Sequence, residues 1–297
     1  MAIKNVGWIG TGVMGKSMCQ HLISIGHNLF IYNRTKKKAD PLLRNGAEWC
    51  ETAGEVAQRA DIIFSIVGYP DDVKEIFLGN EGILENASSG SIYIDMTTST
   101  PCLAEEIYLM AKDKGLHALD APVSGGDLGA KEGKLAIMVG GDAEVFEEVL
   151  PLFEPMGENI SYMGKAGSGQ HTKMSNQILI ASTMIGVVES LIYAFKAGLN
   201  QAKVIDIIGK GAASSWSINN LGRRIEKGDF DPGFFIKHFI KDMGIALDEA
   251  KRMNLSLPGL ALANQFYIAA TSMGYEELGT QGLYKVFQAM NNCHKVK

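Results

Sequence analysis

The sequence predicts a mainly parallel α/β sheet domain followed by an all-helical domain. Three observations carry that reading. Short apolar runs alternate with helical stretches through the first half. A glycine-rich turn joins the first apolar run to the first helix. After residue 164 apolar residues recur at helical spacing, and no convincing strand returns.

The strand candidates are residues 6–9, 29–32, 62–67, 92–95, 118–123 and 135–139, with 160–163 expected to extend the sheet. Between the first two, Met14, Met18, Leu22 and Ile25 recur at helical spacing. Strands alternating with helices imply a sheet covered on both sides. A glycine-rich break, Gly164-Lys165-Ala166-Gly167-Ser168-Gly169, ends this half. Residues 172–195 then read as one long helix, apolar around most of its circumference, which implies burial. Over 234–253, Ile236, Phe239, Ile240, Met243, Leu247 and Ala250 form an apolar stripe, with Lys237, Lys241 and Glu249 off it. Pro258-Gly259 interrupts the chain before helical segments at 260–273 and 281–290. The expected domains are 1–164 and 165–297.

Composition narrows the classes. A chain of 297 residues can bury two sizeable cores. Its net charge of −5 argues against a nucleic-acid partner, and the single basic triplet, Lys36-Lys37-Lys38, reads as a solvated helix start. Cys19, Cys50, Cys102 and Cys293 are scattered, and the six histidines are dispersed. Neither pattern suits a disulfide framework or a metal site, so no metal is expected. Met1 to Lys4 lead straight into the first predicted strand, so no signal peptide is expected. No run of about 18 uninterrupted apolar residues occurs, so no membrane span or membrane partner is expected. A cytoplasmic location is the simplest expectation.

Gly10-Thr11-Gly12-Val13-Met14-Gly15 follows a predicted strand and opens a predicted helix. That is the context in which G-x-G-x-x-G binds a dinucleotide. The first glycine permits the turn, the second admits a pyrophosphate, and the third lets helix and strand approach. The helix N-terminus supplies unpaired N–H groups and a positive dipole end. At the end of the second strand an NAD site usually carries an acid for the ribose hydroxyls. Here Asn33-Arg34-Thr35 follows Tyr32, so the guanidinium is suited to a 2′-phosphate. NADP is therefore expected over NAD. Two further loops, beginning at Val67 and around Thr97, follow strand ends and should close on the cofactor. Thr97 has a hydroxyl for the nicotinamide ribose. Ser99 or Thr100, just before Pro101, reads as a helix N-cap.

Asp120-Ala121-Pro122-Val123-Ser124-Gly125-Gly126 follows another strand. Adjacent glycines after a serine expose backbone N–H groups, a nest suited to a carboxylate. Lys173, Asn176 and Gln177 stand at i, i+3 and i+4 of the long helix and share one face. An amine and two amides among apolar neighbours are suited to gripping a small oxygen-rich molecule and moving a proton. His171 lies on a different face and is the weaker acid/base candidate.

The fingerprint at 10–15, the run 120–126, the segment 169–177 and Lys241-Asp242-Met243-Gly244 occur in that order over nearly the whole chain. In this the chain resembles the β-hydroxyacid dehydrogenase family. The resemblance implies a Rossmann-type domain, an interdomain helix and a helical domain in a homodimer or homotetramer. It implies Lys173 as the catalytic acid/base, Asn176 as a substrate contact, and Ser124, Gly125 and Gly126 as the carboxylate site. It also implies Lys241 at the cofactor, with Phe234 and Asp242 nearby.

The expected activity is NAD(P)-dependent oxidation of a small β-hydroxy acid or reduction of its semialdehyde. 3-Hydroxyisobutyrate, giving methylmalonate semialdehyde, is the first choice. Tartronate semialdehyde comes next, then glyoxylate or succinic semialdehyde. A non-catalytic dinucleotide-binding scaffold or redox sensor is the rival from another class.

Overall fold

The computed structural model describes residues 4–293. Residues 1–3, most of the expected lead-in to the first strand, and residues 294–297 lie outside the described residues. The chain forms two compact units, Met1–Lys173 and Met174–Lys297.

The first unit is a nine-stranded sheet. Its strands are β1 Asn5–Ile9, β2 Asn28–Tyr32, β3 Glu48–Trp49, β4 Ile62–Ser65, β5 Ile92–Asp95, β6 His117–Asp120, β7 Val123–Ser124, β8 Leu135–Gly140 and β9 Gly157–Gly164. The order β3-β2-β1-β4-β5-β6 is parallel throughout. This is the doubly wound order, which reverses direction between β1 and β4. Carboxyl ends that diverge at such a reversal leave a crevice for a ligand. β8 then joins β6 antiparallel, with β7 antiparallel and β9 parallel to β8.

Helices α1 Val13–Ser24, α2 Asp40–Arg44, α3 Ala53–Arg59, α4 Pro70–Leu78, α5 Pro101–Asp113, α6 Gly126–Glu132 and α7 Ala143–Phe153 cover the sheet. Alternation along each strand divides the core in two. Val6, Trp8, Leu29, Ile31, Ile62 and Phe64 belong to one cluster, while Ile9, Phe30, Ile63 and Tyr93 belong to the other. A strand buried on both faces reads as a continuous apolar run, which is why these strands were legible. Trp8 stacks on Phe64 at 5.4 Å, and Phe77 stacks on Tyr93 at 4.9 Å.

The long helix α8, Ser168–Lys196, begins in the first unit and continues in the second. The second unit adds α9 Gln201–Ile208, α10 Gly222–Lys227, α11 Ile236–Arg252, α12 Pro258–Ser272 and α13 Leu283–Met290. Its core gathers Met184, Val188 and Leu191 of α8 with Phe239 and Met243 of α11, Tyr267 of α12 and Phe287 of α13.

Several expectations are corrected. The run 118–123 is two strands, because Pro122 interrupts the ladder and the chain bends to pair β7 with β8. The two-residue β3 was too short to show a period. The long helix starts four residues earlier than its apolar pattern, at Ser168. It is also not buried all round: Leu179 and Tyr193 are 69% and 75% exposed. Ser175, Leu179, Ser182, Gly186, Glu189 and Tyr193 form one exposed stripe. By length and composition alone this helix would suffice to cross a membrane, a test that the core helix of a soluble protein also passes. Its opposite face, with Ala181, Met184, Val188 and Leu191 fully enclosed, serves as the spine of the second core.

Candidate active site

The glycine turn between β1 and α1 is shaped by contacts that only glycine permits. Gly10 has φ +96°, and a Cβ there would lie 2.1 Å from the Ile66 carbonyl oxygen. A Cβ on Gly15 would lie 2.1 Å from the Gly10 oxygen, so helix and strand touch through backbone. A Cβ on Gly12 would meet nothing within 4 Å. The open side of the turn is therefore at its middle glycine, beside the N-terminus of α1, where a pyrophosphate would lie. Val13 is half-exposed and Met14 partly buried on the first turn. Thr11 is buried, and its hydroxyl has no partner among the described residues. An unpartnered buried hydroxyl beside open space fits a phosphate-bearing ligand.

Asn33 ties the second strand end to this turn. Its Oδ1 accepts from the Thr11 N–H at 2.9 Å, and its Nδ2 donates to the Thr35 carbonyl at 2.8 Å. Arg34 reaches out into solvent and meets Asp72 Oδ1 at 3.2 Å. Asp72 Oδ2 in turn accepts from the Tyr69 N–H at the start of α4.

The register places Ile9, Ser65, Asp95, Asp120 and Gly140 in one row across the carboxyl edge of the sheet. Asp95 Oδ1 accepts from the Ser65 hydroxyl at 2.9 Å and the Thr97 N–H at 3.0 Å. The Thr97 hydroxyl accepts from the Val67 N–H at 3.0 Å and so joins the loops after β4 and β5. Thr97 is buried, yet a hydroxyl that accepts through its oxygen still has a proton to donate. Tyr93 lies 2.7 Å from Ser65, and burial, followed by the Asp95 charge, raises its phenol well above the usual range. It is a neutral part of the network. Thr100 caps α5 by accepting from the Leu103 N–H, with Pro101 in the first turn.

Lys173 is 6% exposed, and its Nζ donates to the Val123 carbonyl at 2.8 Å. Val123 directly precedes the expected carboxylate site. Ser124 ends β7, Gly125 and Gly126 have φ of +134° and +64°, and α6 begins at Gly126. Two residues with no assigned role shape the approach to Lys173. Asp120 accepts from the Gly167 N–H through Oδ1 and from the Gln170 N–H through Oδ2, both at 2.8 Å. Burial pushes the Asp120 carboxyl up to about 7 against the pull of these bonds, and the charge of Asp95 adds to the rise. Gln170 is fully buried; its Nε2 donates to the Thr97 carbonyl at 2.7 Å and its Oε1 accepts from the Ser99 N–H at 3.0 Å.

In the second unit Asn176 Nδ2 donates to Gln177 Oε1 at 2.7 Å, and Gln177 Nε2 donates to Asp242 Oδ2 at 2.6 Å. Lys241 Nζ lies 3.1 Å from Asp242 Oδ1. Asn176, Gln177, Asp242 and Lys241 thus form one connected polar chain. Asp242 is buried and Lys241 nearly so, which makes the ion pair less solvent-screened than a surface one. Burial, then Lys241 and Lys237, lowers the pKa of His238. Phe234 packs edge-on against Phe239.

Lys173, Asn176 and Lys241 are expected site residues from the sequence, whereas Asp95, Asp120, Gln170 and Asp72 have no role there. A signal existed for two of them. β5 and β6 each end an apolar run on an aspartate. A buried acid at a strand terminus requires a hydrogen-bonding partner.

These features define a dinucleotide-binding oxidoreductase. The family model for the NAD-binding domain of 6-phosphogluconate dehydrogenase matches residues 5–164. The model for the NAD-binding region of NADP-dependent 3-hydroxyisobutyrate dehydrogenase matches residues 167–287. The chain is 55% identical to an uncharacterised oxidoreductase of Bacillus subtilis, over 96% of this chain and 99% of that one. It is 51% identical to a probable mitochondrial 3-hydroxyisobutyrate dehydrogenase-like protein of Arabidopsis thaliana, over 97% and 86%. It is 38% identical to 2-hydroxy-3-oxopropionate reductase of Escherichia coli, over 98% and 99%. A solved 3-hydroxyisobutyrate dehydrogenase of Mycobacterium tuberculosis with L-serine superposes with a TM-score of 0.88 at 26% identity, covering 97% and 100%. The chain belongs to the β-hydroxyacid dehydrogenase family. It is an NAD(P)-dependent oxidoreductase of that family, acting on CH–OH.

Proposed function

We propose that the protein interconverts 3-hydroxyisobutyrate and methylmalonate semialdehyde with NADP preferred over NAD, Lys173 acting as the general acid/base. One observation supports this above the others: a buried lysine Nζ held 2.8 Å from the Val123 carbonyl, at the doorstep of Ser124-Gly125-Gly126. A nicotinamide cofactor held at the Gly10–Gly15 turn would supply hydride exchange at the substrate's β-carbon.

The rest is done by this chain. N–H groups at Gly125 and Gly126, with the Ser124 hydroxyl, hold the substrate carboxylate. Lys173 as the neutral amine takes the proton from the β-hydroxyl oxygen in oxidation, and as the resulting ammonium returns it in reduction. As an ammonium it also stabilises the alkoxide as charge develops. Asn176 serves as a further substrate contact and Lys241 as a cofactor contact. Gly10, Thr11, Gly12, Val13, Met14, Gly15, Asn33, Arg34, Thr35, Val67 and Thr97 complete the cofactor set. Arg34 favours the 2′-phosphate. The four cysteines, none in a disulfide among the described residues, suit a cytoplasmic location. The exposed stripe on α8 supports a homodimer or homotetramer.

The resemblance to a 2-hydroxy-3-oxopropionate reductase supports a second reading, reduction of tartronate semialdehyde. Glyoxylate and succinic semialdehyde stand behind it. L-Serine, which accompanies the M. tuberculosis neighbour, is itself a β-hydroxy acid and belongs in any substrate series. Purified protein assayed with each of these compounds and both cofactors tests the reading. The highest kcat/KM is expected for 3-hydroxyisobutyrate with NADP. A higher value for tartronate semialdehyde selects the second reading; cofactor binding without turnover of any compound leaves only the sensor. Lys173→Ala should lower kcat by about 10²–10⁴-fold while reduced cofactor still binds. Wild-type turnover in that variant removes the lysine from the mechanism.

A further inference from the structure

The first turn of α8 is fastened in an unusual way. A helix leaves its first N–H groups unpaired, and a serine, threonine, aspartate or asparagine at the N-cap usually supplies the acceptor. Here the acceptor is Asp120, 47 and 50 residues away in sequence, which uses one oxygen for Gly167 and the other for Gln170. The fit is close: a Cβ on Gly169 would lie 2.3 Å from the Met138 oxygen and 2.6 Å from the Asp120 backbone oxygen. Gln170 adds a second fastening. Both ends of its buried amide are engaged by one loop, donating to Thr97 and accepting from Ser99, so its orientation is fixed.

The offsets match. Asp120 holds Gln170, and Val123, three residues on, holds Lys173, three residues on, each pair 50 residues apart. Gln170 and Lys173 are helix neighbours at i and i+3. One short segment from the end of β6 to β7 therefore sets both the helix start and the lysine that the helix carries.

We propose that Asp120 and Gln170 are positioning residues that fix the rotation and depth of the first turn of α8, so that Lys173 stays on the Val123 carbonyl. The inference rests on Lys173 being the acid/base group. A lysine stem has four rotatable side-chain bonds' worth of freedom to lose, so its head is placed well only if its root does not shift. Displacement of a reacting group by about 1 Å costs on the order of 10²-fold in rate.

The test is a double-mutant cycle on kcat, run with the best compound of the substrate series. Asp120→Asn keeps the shape but turns one acceptor into a donor facing an N–H. Gln170→Met keeps the bulk and loses both amide bonds. Each is expected to lower kcat about tenfold to a hundredfold; cofactor affinity should change less than about twofold in Asp120→Asn, and more in Gln170→Met, whose amide also holds the Thr97 loop. In a Lys173→Ala background the same changes should cost nothing more, because the group through which they act is gone. An equal loss in both backgrounds, or no loss in either, overturns the proposal. Should Asp120→Asn fail to fold, Gln170→Met and Gln170→Glu complete the cycle. If Lys173→Ala alone keeps full turnover, the acid/base reading has failed, an outcome distinct from failure of the clamp. A readout independent of turnover is the rate of Lys173 acylation by an N-hydroxysuccinimide ester, followed by mass spectrometry. Both positioning variants should raise it severalfold, and an unchanged rate counts against the clamp.

Discussion

Arg34 and Asp72 show how a single contact can set a preference. The pair is exposed on the arginine side, so it contributes about 0–1 kcal/mol. A 2′-phosphate must draw Arg34 away from Asp72 and tolerate the carboxylate nearby. Asp72→Asn removes that competitor and leaves an oxygen for the Tyr69 N–H. It should tighten NADP by up to about fivefold and leave NAD unchanged, as read by fluorescence titration of the reduced cofactors. Arg34→Ala should do the reverse, weakening NADP far more than NAD; equal losses would show that Arg34 does not read the phosphate. Asp120 makes a different residue-scale statement, about pH. Its carboxyl is pushed up from 3.8 to about 7 by burial, so the folded chain binds a proton there that the unfolded chain releases. The associated stability is present below about pH 4 and lost as pH rises through 7. Asp120→Asn should flatten this part of the stability–pH curve in denaturant titrations. A slope identical to wild type between pH 4 and 7 would mean the group titrates normally.

At the scale of elements, what the sequence displayed depended on how local the cause was. The β1–turn–α1 unit was legible because its glycines, apolar run and helical period are contiguous. The start of α8 was not, since its cap comes from Asp120 on another strand and leaves no mark near Ser168. The break at Pro122 was visible as a residue but not as a change of partner strand. Of the candidate site, Lys173 and the Ser124-Gly125-Gly126 run stood out by residue type. The two loops joined through Thr97 and Val67 could be placed only at strand ends, because a hydroxyl-to-backbone bond has no sequence period. The glycine turn offers a test that separates packing from binding. Gly15→Ala forces a Cβ against the Gly10 oxygen and should cost about 1–3 kcal/mol of stability. Gly12→Ala meets open space, so its melting temperature should stay near wild type while cofactor affinity drops. Equal destabilisation by both would show that Gly12 is a packing glycine, not a phosphate neighbour.

At the scale of the molecule, the long helix poses a problem that a single chain does not solve. Its inner face is fully used: Ala181, Met184, Val188 and Leu191 are enclosed in the second core. Its outer face carries Leu179 and Tyr193 into solvent, separated by Ser182, Gly186 and Glu189 at alternating steps of three and four. That spacing keeps one seam aligned along a helix, and the small residues at its centre let a second helix come close. Leaving a large apolar side chain in water rather than burying it forgoes about 1.5–3 kcal/mol. A net charge of −5 is modest and opposes self-association only weakly. Burial of this seam against a second copy is therefore the expected resolution, in line with the proposed homo-oligomer. Light scattering coupled to size exclusion should give a mass of at least twice 32.1 kDa for the wild type. Leu179→Lys combined with Tyr193→Lys places four cations across a two-fold seam and should shift the mass to that of one chain, with helical content retained. A wild-type mass of one chain would exclude the oligomer. An oligomer that survives both substitutions would place the subunit contact on another surface.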